Sequence, residues 1–307
     1  VVVATADTGV KPDTGRQIML MTDEEWWNQK LKLTERTWVL PPRISRLIRQ
    51  EQLDSMFRFL FKQGGTLLDI GCGSGWLSIK FAQTGMQVTG LDVSRESLAK
   101  AQYNAVQASV TSYIKFMHVD LRNFSPQNLG QTFDSIVSYA VLFFLQDNLE
   151  DILLKLKSVL KDDGILYLYE PICYRPEERT ACSLIYNLPF SLLKHLITKT
   201  QFMQEADLRD IINTSNSNPK ENAFKPESLQ KLLAGCFSIV KVEYWQMRSQ
   251  AYAEMCATLK KSVQPIFTPF INPFYLVEKQ LLKYRPFREK TNSWIMASYC
   301  CRNLHKT

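Results

Sequence analysis

The sequence predicts an α/β fold in which a doubly wound, mainly parallel sheet is covered by helices on both faces. Three observations predict it. Short apolar runs alternate with helical patterns of roughly 10–15 residues, the rhythm of βαβ units, between residues 64 and 171. A glycine cluster, Gly71, Gly73 and Gly75, lies where the first of those runs turns into its helix. Asp69, Asp92 and Asp120 stand at the ends of three successive strand-like runs. Right-handed crossovers, general for parallel strands in one sheet, then favour a doubly wound topology.

Residues 1–22 are polar and unpatterned and read as a flexible tail. Thr22 followed by Glu25 has the spacing of a capping box, and Trp26, Trp27 and Leu31 supply apolar positions, so a helical cap is expected over 23–63. Pro41-Pro42 suits a helix start, and Ile44, Leu47, Ile48, Leu53, Met56, Phe57, Leu60 and Phe61 recur mostly at three- and four-residue steps. Gly64-Gly65 ends that helix. Residues 66–70, 86–91, 113–119, 134–140 and 164–169 read as strands, and 76–83, 94–109 and 149–160 as the intervening helices. Ser94 is placed to cap the second of these, with Glu96 in the first turn, where the helix dipole favours negative charge.

Past Pro171 the rhythm breaks. Residues 172–224 form a first insertion with an apolar stretch at 184–196, before a helix at 226–233 and a strand at 237–244. A second insertion, 247–292, mixes Pro265, Phe267, Pro269, Phe270, Pro273 and Phe274 with a helix at 275–284, and a strand at 294–300 closes the chain. The core is therefore expected over 64–171 and 225–307, with both insertions mostly helical and placed to choose the substrate.

Composition bounds the function. The chain has 307 residues, 45% hydrophobic and 22% charged, enough apolar material for a packed core. No apolar run approaches the roughly 18–20 residues that span a bilayer, and residues 1–4 are too short for the apolar part of a secretory signal. Seven cysteines without regular spacing read as reduced thiols of a cytoplasmic protein, and no Cys-x-x-Cys pair offers a metal site. The net charge of +7 is carried by the carboxyl-terminal segment: residues 257–307 hold nine Lys or Arg against Glu278 and Glu289. Such asymmetry suits an anionic surface or substrate.

The glycine turn is the strongest chemical signal. Glycines remove the Cβ that would block a ligand lying on the backbone, and the following helix directs unpaired amides at the turn. A P-loop needs Gly-Lys-Ser/Thr, but Gly75 is followed by Trp76. A dinucleotide fingerprint needs a third glycine at residue 76, which is that same tryptophan. Asp69 before the turn repels a pyrophosphate and attracts an amino group. Asp92, 21 residues past Gly71, is placed to accept ribose hydroxyls, and Asp120 to accept from an adenine amino group. A ligand with an adenosine end and an amino-acid end fits better than NAD.

The order Asp69-x-Gly71-x-Gly73-x-Gly75, Asp92, Asp120-Leu121, residues 133–137 and residues 160–164 resembles the class I S-adenosylmethionine-dependent methyltransferases. The likeness spans 64–171 and, in outline, the terminal strand pair. It implies a Rossmann-like methyltransferase sheet of seven strands whose last strand runs antiparallel, with S-adenosyl-L-methionine as cofactor. By the resemblance, Asp69, Gly71, Cys72, Gly73 and Gly75 hold the methionine part, Asp92 with Val93 the ribose, and Asp120 with Leu121 the adenine. Ser138 joins these from the end of the fourth strand.

A sulfonium methyl is already activated, so alignment of the acceptor is the protein's main task. Tyr139, Glu170 and His195 are the candidates for touching acceptor or proton, and His118 reads as a core or rim histidine. The Asn-Pro-Pro-Tyr/Phe and Pro-Cys patterns used for nucleic-acid bases are absent at 138–140, which disfavours base methylation at those atoms. Two apolar lids, one over 184–196 and one around Ile266, Phe267, Phe270, Ile271, Phe274, Tyr275 and Leu276, point to a small apolar acceptor. Lys260, Lys261, Lys279, Lys283, Arg285, Arg288 and Lys290 are placed to rest on an anionic membrane. The alternatives are an RNA methyltransferase, favoured by the basic tail alone, and a catalytically silent subunit, against which the intact glycines and acids argue.

Overall fold

The computed structural model describes residues 43–174, 223–245, 265, 268–291 and 295–303. His195, the tail 1–22, the cap before residue 43, and residues 175–222 of the first insertion lie outside the described residues, as do Lys260 and Lys261.

Helix α1 (Arg43–Leu60) precedes strand β1 (Thr66–Ile70), helix α2 (Trp76–Ala82), strand β2 (Gln87–Asp92), helix α3 (Arg95–Gln107) and strand β3 (Ile114–His118). Strand β4 (Phe133–Tyr139), helix α4 (Leu149–Val159) and strand β5 (Leu160–Ile172) follow. Helix α5 (Pro226–Cys236), strand β6 (Phe237–Trp245), helices α6 (Ile271–Leu281) and α7 (Arg285–Thr291) and strand β7 (Ile295–Asn303) complete the described chain. The strands form one seven-stranded sheet in the order β3-β2-β1-β4-β5-β7-β6. Neighbours from β3 through β5 pair in parallel, whereas β7 is antiparallel to both β5 and β6. The expected α/β class, doubly wound order and reversed last strand are all present. The order reverses between β1 and β4, so their carboxyl ends flank the crevice where such sheets bind ligands.

Both faces are buried. Leu68, Ile70, Ile136, Leu166 and Leu168 pack with Leu153 and Leu156 of α4 and Leu229 and Leu233 of α5. Leu67, Val88, Val137, Tyr167 and Tyr169 pack on the opposite face, with Met56 and Leu60 of α1 and Phe81 of α2. Each of those large side chains contributes about 1.5–3 kcal/mol of burial. Ser94 caps α3 as expected, its hydroxyl accepting the Ser97 amide at 3.0 Å.

Three expectations change. Strand β5 is longer than 164–169, because residues 170–172 find antiparallel partners in Ala297, Met296 and Ile295 of β7. Helix α6 begins at Ile271, before Pro273; a proline in the first turn removes an amide that has no intrahelical partner anyway. Arg288 does not face outward. It is 6% exposed, its guanidinium lies 3.6 Å above the Tyr244 ring, and Nη1 donates to the Leu282 carbonyl at 2.7 Å. A planar cation stacks on an aromatic face and spends its donors on carbonyls, which pulls α7 onto the sheet. Lys279 is likewise ion-paired to Glu51 of α1 at 2.6 Å. The second lid divides: Ile271 and Tyr275 are buried, whereas Phe270 and Leu276 are exposed. The five described cysteines are buried free thiols. Among the described residues no helix is long and apolar enough to cross a membrane.

Candidate functional site

The turn after β1 is built by left-handed backbone, with φ of +68° at Gly71 and +54° at Gly73. The two glycines serve different ends. A Cβ on Gly71 would lie 2.3 Å from Cγ2 of Val141, so its missing side chain admits the protein's own turn after β4. A Cβ on Gly73 would meet nothing within 4 Å. The open side of the turn is therefore at Gly73, whereas at Gly71 the positive φ and the missing side chain also make room for Val141. Cys72 is turned inward, its sulfur against the Gly90 position on β2, and burial pushes its thiol pKa up.

Asp69 lies on the face of β1 covered by α2. It is 1% exposed and accepts the Ser78 hydroxyl at 2.6 Å. Burial raises its pKa to about 7, opposed by the Ser78 hydrogen bond and assisted by the charge of Asp92. Asp92, at the end of β2, accepts the Gly73 amide and the Ser94 amide at 2.8 Å each, one per carboxylate oxygen. Both oxygens already tie β2 to the glycine turn and to the start of α3, the Val93 amide adds a third donor, and a carboxylate's four lone pairs leave acceptor capacity for a hydroxyl. Burial also raises the Asp92 pKa, against those amides and the nearby His118. Two carboxylates that share a shortage of solvation favour a cationic neighbour.

At the end of β3, His118 is exposed and its Nε2 donates to the Val93 carbonyl at 2.9 Å, which makes it a rim residue. Val93 itself is half-buried. Asp120 accepts the Arg122 amide at 2.9 Å and lines a cavity of about 200 Å³ with His118, Asn123 and Phe124. The Leu121 side chain is buried in the core, which leaves only its backbone for a ligand.

Strand β4 presents opposite faces at consecutive residues. Tyr139 is half-buried and stacks on Tyr169, with ring centroids 4.4 Å apart, and meets the edge of Trp76 at 6.2 Å. Its hydroxyl donates to Oε1 of Gln52 at 3.1 Å, and Nε2 of Gln52 donates to the Tyr169 hydroxyl at 2.6 Å. Ser138 and Glu170 point to the other face. Both are fully buried, and the Ser138 hydroxyl donates to Glu170 Oε1 at 2.8 Å. The expectation that Glu170 reaches an acceptor is therefore corrected: strand alternation gives that face to Tyr169. Ser138 is likewise turned from the Tyr139 face by its bond to Glu170.

Gln52, Tyr169 and Trp76 were not singled out by the sequence analysis. Gln52 carried a usable signal, because Ile48, Gln52, Met56 and Leu60 form one i, i+4 row on α1, and all four are buried. An amide on an otherwise apolar stripe needs a partner inside.

The fold and rim define a methyltransferase-type sheet. Residues 68–168 match the family model described as a methyltransferase domain. Over 106 residues the chain is 35% identical to a ubiquinone biosynthesis O-methyltransferase of Haemophilus ducreyi (strain 35000HP / ATCC 700724), covering 34% of this chain and 44% of the relative. The chain spans about half the length of the curated relatives it matches. Among solved structures, the [4+2]-cyclase SpnF superposes with a TM-score of 0.56 at 18% identity, covering 92% of this chain and 97% of SpnF. The geranyl diphosphate C-methyltransferase from Streptomyces coelicolor A3(2) superposes with a TM-score of 0.53 at 10% identity, covering 84% of this chain and 80% of that one. At these identities the two structures speak for the fold alone. Residues 68–168 are thus similar to methyltransferase domains, and the seven-stranded sheet that holds them has the Rossmann-like methyltransferase fold.

Proposed function

We propose that the protein is a methyltransferase that binds S-adenosylmethionine across the glycine turn and methylates a small apolar molecule. The observation that carries this reading is the open side of Gly73, bounded by the Asp92 carboxylate, with buried Asp69 behind it. The residues present fit that cofactor: an ammonium or sulfonium group relieves the two crowded carboxylates, whereas a diphosphate aggravates them. When bound, the cofactor supplies a methyl group on an activated sulfonium. Asp92 would hold the ribose through its remaining acceptor positions, and Asp120 with the Leu121 amide would hold the adenine. Trp76 and Tyr139 form an aromatic wall at the end of β4 that excludes water and orients the acceptor.

The small apolar acceptor is supported by that wall and by relatives named for ubiquinone biosynthesis O-methylation. A structural neighbour solved with geranyl diphosphate and S-adenosyl-L-homocysteine is consistent with it. Exposed Phe270, Leu276, Val277 and Tyr284 beside Lys283 and Arg285 support peripheral contact with an anionic lipid surface. Liposome co-sedimentation that ignores anionic lipid content refutes that contact.

Parallel calorimetric titrations with S-adenosylmethionine and NAD test the cofactor, and a labelled-methyl screen over quinones, phenols, lipid extracts and RNA tests the acceptor. Binding of NAD alone, or label entering only RNA, overturns the reading.

A further inference from the structure

We propose that Glu170 is a positioning residue for methyl transfer, holding the turn at residues 140–143 so that Val141 closes against the glycine turn. The inference rests on the methyltransferase reading above and gives a role to a carboxylate that is fully buried on the face opposite Tyr139.

Immediately after β4 the backbone turns sharply. Ala140 has φ of +56°, and its amide makes the last bond to β5, donating to the Tyr169 carbonyl at 2.7 Å. Beyond it the amides of Val141, Leu142 and Phe143 leave the sheet ladder. All three donate to one side chain: Val141 at 3.3 Å and Leu142 at 3.0 Å to Glu170 Oε1, and Phe143 at 3.3 Å to Oε2. The Ser138 hydroxyl adds a fourth donor. A carboxylate is the one common side chain with acceptor capacity on two oxygens and no proton to clash, and successive amides facing one way form an anion-binding concavity.

The turn so held is the back wall of the glycine turn. Val141 lies so close to Gly71 that even a Cβ there would not fit. Glu170 thus connects the two loops at the point where strand order reverses, from the face opposite Tyr139. Any shift of the 140–143 turn moves Val141 off Gly71 and widens the seat of the cofactor.

The test is calorimetric titration of S-adenosyl-L-homocysteine into wild type, Glu170→Gln and Glu170→Leu, with amide hydrogen exchange followed over residues 138–145. Glutamine keeps one acceptor oxygen but presents a donor to the Phe143 amide, so its affinity falls several-fold. Leucine leaves the buried Leu142 amide unmet and strips the part-buried Val141 and Phe143 amides of their acceptor, so the turn loosens, affinity falls at least about tenfold and exchange at 141–143 accelerates. The graded order, with glutamine partly rescuing leucine, supports the inference. Wild-type affinity and unchanged exchange in both variants overturn it; should the leucine variant not fold, the glutamine variant decides alone on the same two readouts. Failure of wild type to bind the nucleoside refutes the methyltransferase reading instead, and the exchange comparison still reports whether Glu170 holds the turn.

Discussion

The carboxylate of Asp92 reaches from the end of β2 to the backbone amide of Gly73 at 2.8 Å, so the acid expected to hold a ribose also holds the turn on which the cofactor would lie. Its second oxygen secures the Ser94 amide at the start of α3. One side chain therefore links two strand-to-helix turns, and its loss is felt in both binding and folding.

Asp92→Ala is expected to abolish detectable S-adenosylmethionine binding and to cost about 1–3 kcal/mol of stability, since two amides lose their acceptor. Calorimetry and urea unfolding measure the two effects separately. Unchanged affinity counts heavily against the cofactor assignment.

The glycines predict opposite phenotypes. Gly73→Val places a side chain in open space at positive φ, costing about 1–2 kcal/mol in strain while blocking the ligand. A folded, non-binding protein is expected. Gly71→Ala drives a methyl into Val141 and should destabilise more, by a further 1–3 kcal/mol or so of overpacking. Adding Val141→Ala should recover part of that loss, a coupling that a double-mutant cycle reads directly.

Asp69 makes cofactor affinity depend on pH. Its pKa near 7 in the ligand-free protein leaves the carboxyl neutral in mild acid. An ammonium beside it draws the pKa down, so binding releases a proton and tightens as pH rises from about 5.5 to about 7. The same raised value makes the ligand-free fold lose stability as pH climbs from about 4 through about 7, because the unfolded chain gives up that proton first. Asp69→Asn should flatten the affinity profile and shallow the stability profile, whose remaining slope belongs to Glu170, which burial also pushes up to about 7; titration calorimetry and thermal melts across this range check them.

Tyr139→Phe removes the bond to Gln52 while keeping the stack on Tyr169. Cofactor affinity should stay within about twofold while turnover of the acceptor falls, since the bond to Gln52 fixes the ring that is proposed to orient the acceptor. Gln52→Leu should lower stability by about 1–3 kcal/mol by stripping partners from the buried Tyr169 hydroxyl and the half-buried Tyr139 hydroxyl. A drop in cofactor affinity in Tyr139→Phe equal to the drop in turnover would assign the ring to the cofactor instead.

The parts of the site legible in the sequence are those set by local rules. Glycines at 71, 73 and 75 answer to backbone conformation, and Asp92 follows from strand length and the distance to the first turn. Glu170 was legible as an acid at a strand end but not in its direction. A strand buried on both faces reads as a nearly continuous apolar run, so Tyr169 and Glu170 give no sign of which layer each will face. The basic residues of α6 and α7 misled for a related reason: charge counted along the chain does not show that Arg288 stacks on Tyr244 from β6.

The sequence by itself determined the order of strands and helices, the place of the glycine turn and the acids that follow it, because periodicity, caps and backbone permissiveness act over a few residues. Only the tertiary structure decided which glycine faces open space, which face receives Glu170, and that Gln52 ties Tyr139 to α1. Those outcomes depend on strand register and on contacts between residues up to 117 positions apart, where no local pattern carries the information.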